Sequence, residues 1–168
     1  MTRRAQQGYL LSPPTKKFKR PESVLVVVYT LTGKVLLLRR ADDPDFWQSV
    51  TGSLLWEETL PWQAAVRELQ EETGLGATGL QDAGLTHRYA ILPQWRQRYA
   101  PEAQENTEHV YFLALPAERD VTFNSVEHSE YGWYSFEAAA AKVASWTNRD
   151  AILKVITPTP PLPRSGRG

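Results

Sequence analysis

The stretch Pro61-Trp62-Gln63-Ala64-Ala65-Val66-Arg67-Glu68-Leu69-Gln70-Glu71-Glu72-Thr73-Gly74 carries its own start and stop signals for a helix. Pro61 has its φ fixed near the value of a first helical turn. Gly74 suits the left-handed position that ends one. The bracketed segment predicts a helix over Pro61–Thr73, about three and a half turns at 3.6 residues per turn. At roughly 100° per residue, Ala65, Val66, Leu69 and Thr73 share one face, the expected core face. Glu68, Glu71 and Glu72 fall on a neighbouring face at i, i+3 and i+4. Like charges so placed weaken a helix by roughly a few tenths of a kcal/mol per pair. A positive partner must offset that repulsion, and a hard divalent cation held by oxygen ligands fits best.

The chain has 168 residues, the length of one domain with a sizeable core. Nineteen basic residues balance 19 acidic ones, so no global charge argues for nucleic-acid or membrane partners. Cysteine is absent, which excludes disulfides, thiolate metal sites and a cysteine nucleophile. No apolar run approaches the roughly 20 residues of a membrane span, and Met1–Leu11 lacks a signal peptide's apolar stretch. The expectation is a cytoplasmic enzyme of open oligomeric state. Residues 1–20 read as a flexible basic arm, with Lys19 and Arg20 close enough to the first strand to reach a phosphate. Residues 157–168 (TPTPPLPRSGRG) read as a disordered Pro-rich tail. Residues 21–156 remain for the folded domain.

Within that domain strands dominate. Ser23–Thr30 is a continuous β-branched run, expected to be buried on both faces. A turn over Leu31–Lys34 joins it to Val35–Arg39 as a hairpin. Trp47–Val50 reads as one short strand, and further strands are expected near Ala83–Tyr89, Glu108–Leu115 and Tyr131–Tyr134. Phe136–Ala144 is alanine-rich and helical. Thr147 is the expected N-cap of a last helix near Asn148–Val155, with Asp150 completing a capping box. Trp47 and Trp146 are assigned to the core. The long segment Ile91–Glu105 reads as a lid.

Gly52-Ser53-Leu54-Leu55-Trp56-Glu57-Glu58 followed by Arg67-Glu68-Leu69-Gln70-Glu71-Glu72-Thr73-Gly74-Leu75 resembles the Nudix box. Every fixed position of both parts is met. Eight residues, where the family has seven, separate Glu58 from Arg67. The extra residue is placed at Leu60, before the helix, which leaves the three carboxylates in register. The resemblance implies an α/β (α+β) Nudix fold, an α/β/α sandwich around a mixed sheet. It implies a Mg²⁺-dependent hydrolase (Mn²⁺ substituting) acting on a small-molecule triphosphate by water attack at phosphorus. Glu68, Glu71 and Glu72 are then catalytic, with Glu68 and Glu72 as metal ligands and Arg67 orienting Glu71. Glu127 is expected to complete the metal site or act as base, with Glu108 the second choice. His128 reads as a loop histidine with a structural hydrogen bond, a proton carrier being the rival role.

A second likeness narrows the substrate. Asp42-Asp43-Pro44-Asp45-Phe46-Trp47-Gln48-Ser49-Val50-Thr51-Gly52-Ser53, with Arg98-Tyr99-Ala100-Pro101, Asn106-Thr107-Glu108 and Ser145-Trp146-Thr147-Asn148-Arg149, resembles the dihydroneopterin triphosphate pyrophosphatases. This likeness implies release of pyrophosphate from 7,8-dihydroneopterin triphosphate, an early step of folate synthesis. Lys19 and Arg40 match positions near the phosphates, and Thr51, Tyr89 and Ser145 are the candidates for the pterin ring. The alternatives are a general (d)NTP pyrophosphatase, such as one acting on dATP, and a non-catalytic Nudix-fold binding module. An RNA 5′-end or dinucleoside polyphosphate hydrolase is disfavoured, since Trp47-Gln48 continues as Ser49-Val50-Thr51-Gly52.

Overall fold

A computed structural model describes residues 17–156. The expected disordered tail and the first 16 residues of the expected arm lie outside the described residues. Lys19 and Arg20 belong with the folded part: the Lys19 N–H donates to the Arg98 carbonyl at 2.7 Å, and Arg20 reaches the carbonyls of Leu55 and Glu58.

The elements run β1 (Glu22–Thr30), β2 (Lys34–Arg40), β3 (Trp47–Gln48), β4 (Val50–Ser53), α1 (Pro61–Thr73), β5 (Leu80–Ala90), β6 (Glu105–Leu115), β7 (His128–Ser135), α2 (Phe136–Lys142) and α3 (Trp146–Ile156). A 3₁₀ helix, Pro93–Arg98, gives the segment between β5 and β6 an ordered centre. The strands form one mixed sheet of seven. β1 is its middle: it runs parallel to β6 and antiparallel to β2 and β4. The expected β1–β2 hairpin is present.

β1 is buried on both faces because each face packs a different layer. Val24, Val26 and Val28 meet Ala64, Ala65 and Leu69 of α1. Leu25 and Val27 meet Ala139 and Ala140 of α2 and Ala151 and Ile152 of α3. Alternation at a period of two thus feeds two cores, and the result is the expected α/β/α sandwich.

α1 has the bounds read from its sequence. Gly74 ends it at φ 73°, donating its N–H to the Gln70 carbonyl at 2.9 Å. At the other end the Gln63 side chain accepts from the N–H groups of Thr59 and Leu60, at 2.8 and 3.0 Å. The additional residue before the helix is absorbed there. Ala64 joins the core face, while Val66 is only partly buried.

Three local expectations are corrected. Trp47–Val50 is two strands, because Asn148 of α3 binds the Ser49 backbone N–H (2.8 Å) and Oγ (2.9 Å) and pulls that residue out of the ladder. α3 begins at Trp146, and the residue that caps it is Ser145, whose Oγ accepts from the Asn148 N–H at 3.1 Å, not Thr147. Asp150 is no capping-box partner; it meets His87 Nε2 at 2.8 Å.

Candidate active site

One cavity of about 1230 Å³ opens where β1 exchanges β2 for β4 as its neighbour. The Glu68 and Glu72 carboxylates of α1 enter it beside β4. The Glu72 side chain is 2% exposed as a residue and accepts from the Thr51 N–H at 3.1 Å. Glu68 is nearly as buried, and a Cβ at Gly52 would overlap its carboxylate. Only glycine lets β4 pass that close.

Arg67 organises the box. Its guanidinium donates to Glu58 (2.9 and 3.2 Å), to Glu68 (2.8 Å), to Glu71 (3.3 Å) and to the Ser53 carbonyl (3.0 Å). It therefore ties α1 to the loop after β4, more than orienting Glu71 alone. Glu71 remains exposed and does not line the cavity. Glu58 keeps its pairing with Arg67 despite the longer spacing. Burial raises the Glu58 carboxyl, but the bonds from Arg67 and the Leu55 N–H outweigh that and hold it below its usual value.

Burial pushes Glu68 up to about 7 against the pull of Arg67. Burial, followed by the neighbouring Glu68, raises Glu72 well above a usual carboxylate. Carboxylates so placed favour either a proton or a cation. Oxygens of Glu72 and Glu127 and a ring nitrogen of His128 lie within 4.8 Å of one another, a group that could hold a divalent metal ion. His128 is no loop residue: it opens β7, is buried, and its Nδ1 has no hydrogen-bond partner. Its Nε2 meets Gln48 Nε2 at a long 3.4 Å. Burial and then Arg40 lower its proton affinity to about 4, so the ring is a neutral nitrogen donor near pH 7. The oxygen donors, the neutral ring nitrogen and the raised acids fit a divalent cation. Sequence reasoning took Glu68, Glu72 and Glu127 as the metal ligands; Glu68 is not in this group, its Oε1 being held by Arg67 at 2.8 Å, and His128 was missed as a donor. Its place directly after Glu127, at the start of a strand, was the available signal.

Lys19 and Arg40 also line the cavity. Desolvation and the nearby Arg98 lower the Lys19 ammonium. Arg40 is held by Asp42 through two bonds of 2.7 and 2.8 Å and lies 4.9 Å from the Trp95 ring centre. Among the ring candidates, Thr51 uses its N–H on Glu72 and its hydroxyl on the Val24 carbonyl. Ser145 caps α3 at the cavity rim. Tyr89 lines the wall and accepts from Asn106 Nδ2 at 2.9 Å. Glu108, the second metal candidate, is not grouped with Glu72; it lies 3.3 Å from His87 Nδ1. Trp47 is a core residue as expected. Trp146 is not: it is 54% exposed and forms part of the cavity wall.

Among the described residues no helix is long and apolar enough to cross a membrane. The NUDIX domain family model matches residues 19–155. The chain is 49% identical over 142 residues to a dihydroneopterin triphosphate diphosphatase of Escherichia coli K12, covering 82% of this chain and 93% of the relative. A Haemophilus influenzae protein of the same name is 40% identical over 145 residues, covering 83% and 90%. The solved structure of the E. coli dihydroneopterin triphosphate pyrophosphohydrolase superposes with a TM-score of 0.74 at 48% identity, over 80% of this chain and 94% of that one. The chain thus belongs to the Nudix hydrolase family.

Proposed function

We propose that the chain hydrolyses 7,8-dihydroneopterin triphosphate to the monophosphate and pyrophosphate with Mg²⁺, an early step of folate synthesis. The observation that carries this reading is one cavity in which the Glu72–Glu127–His128 group faces Lys19 and Arg40. The 49% identity to a dihydroneopterin triphosphate diphosphatase supports the choice of substrate.

Glu72 and Glu127 would hold the ion, with His128 beside them. A bound Mg²⁺ neutralises phosphate charge and lowers the pKa of an attacking water. Thr51 fixes Glu72 through its N–H. Arg67 leaves one Glu68 oxygen free of its grip, and an affinity for protons near 7 suits Glu68 to take the proton of the attacking water. Lys19 and Arg40 bind phosphate oxygens and offset the charge that builds on the leaving pyrophosphate. Glu71 acts through Arg67.

Steady-state hydrolysis with Mg²⁺ of dihydroneopterin triphosphate beside dATP and GTP tests the reading. The expected result is pyrophosphate release, with kcat/KM roughly tenfold or more higher for the pterin. Equal or faster turnover of dATP would reassign the chain to the general nucleotide pyrophosphatases. No release from any of the three would leave a binding module.

A further inference from the structure

The far wall of the cavity carries polar groups that the reaction above does not use. Asn106 and Glu108 are alternate residues of β6, so their side chains stand on one face of the sheet. They are 2% and 4% exposed, and both line the cavity. Asn106 Nδ2 donates to Ser23 Oγ at 2.8 Å and to Tyr89 OH at 2.9 Å, while its buried Oδ1 has no hydrogen-bond partner. Buried acceptors normally find a donor. Glu108 is fixed by His87, Thr147 and Tyr89, and His87 is anchored in turn by Asp150. A carboxylate has about four lone-pair sites, so Glu108 keeps capacity for one more donor. Trp146 meets His87 edge to face at 5.4 Å and turns its exposed surface to the same space.

Position separates these groups from the carboxylates of α1. Thr51, which holds Glu72, pairs with Leu25 on one side of β1, and Glu108 pairs with Ser23 on the other. Two strand spacings, about 10 Å, lie between them. A triphosphate at one end therefore leaves its ring at the other. We propose that Asn106 Oδ1 and Glu108 form a ring-recognition subsite that accepts the exocyclic amino group of the substrate heterocycle, with Trp146 as its aromatic wall. The class of ligand is an amino-substituted pteridine or purine. The inference rests on the triphosphate reading above for which end the ring occupies.

Hypoxanthine carries no exocyclic amino group, so dITP is the discriminating probe beside dATP and dGTP. With the wild-type enzyme and Mg²⁺, dITP is expected to show kcat/KM lower by roughly tenfold or more than the better amino purine. Glu108→Gln, which replaces one acceptor oxygen by a donor, is expected to collapse that ratio to within about twofold. Equal wild-type rates for dITP and the amino purines overturn the subsite, as does a ratio that survives in Glu108→Gln. Should that variant fail to fold, quenching of tryptophan fluorescence by 7,8-dihydroneopterin, guanosine and inosine decides with the wild-type protein alone. The two amino compounds are expected to bind and inosine to bind roughly tenfold more weakly; equal binding of all three overturns the inference. These ligands carry no phosphate, so this readout stands even if no triphosphate is hydrolysed, which is the outcome that defeats the proposed function.

Discussion

Glu72 is held in a nearly water-free place by a single backbone donor, with Glu68 beside it on the same helix face. Its glutamine variant keeps the shape and removes the charge. Glu72→Gln and Glu68→Gln are each expected to lower kcat by on the order of 10²-fold or more, about 2.7 kcal/mol at 1.36 per tenfold. Steady-state kinetics at saturating Mg²⁺ measures this, and near-normal rates in both would place the metal site and the base elsewhere. The raised Glu68 acid also sets a pH dependence. A carboxyl whose folded value is about 7, against an ordinary 4.5, favours the fold while protonated. That contribution is complete below about 4.5 and is lost as pH rises through about 7. Thermal melts of chelated protein are therefore expected to fall across that window, and Mg²⁺ to restore the loss at its upper end. A flat profile without metal would contradict the burial argument.

Among the elements, α1 was the most legible, because Pro61 and Gly74 are local signals that the backbone obeys on its own. Its three carboxylates, and the spacing that survives one additional residue, were legible for the same reason. The break between β3 and β4 was not, since it is imposed by Asn148, 99 residues away in sequence. Asn148→Ala would leave the Ser49 N–H and hydroxyl buried without partners, and a loss of about 2–4 kcal/mol is expected in urea unfolding. A change near zero would mean that the break is set by β3 and β4 themselves. Trp146 misled because an aromatic residue at a helix start looks like packing, yet it meets the sheet only edge to face at His87 and stays 54% exposed at the cavity. His128 was passed over because only the fold brings a ring nitrogen of it beside Glu72 and Glu127. Asn106 was read only as part of a likeness, because only the fold shows that its Oδ1 is buried without a partner.

For the molecule as a whole, the described residues that line the cavity fall between Lys17 and Asn148. A chain trimmed to residues 17–156 keeps all the described lining residues, and its melting temperature is expected to be unchanged and its turnover to stay within about twofold. Starting instead at residue 21 removes Lys19 and Arg20, and activity is expected to drop by roughly tenfold or more with a weaker loop after β4. Kinetics on the two truncations compares them directly. The parallel pairing of β1 with β6 also sets an order of events during synthesis. Glu105 follows Glu22 by 83 residues, so at ribosomal speed β1 waits on the order of ten seconds for that neighbour. Through that interval Val24-Leu25-Val26-Val27-Val28 is an apolar strand lacking one edge partner and the α2/α3 layer that will cover it. The nascent chain is thus expected to be a client for holding chaperones before it is an enzyme, its soluble yield following chaperone supply and translation rate more closely than the stability of the finished fold.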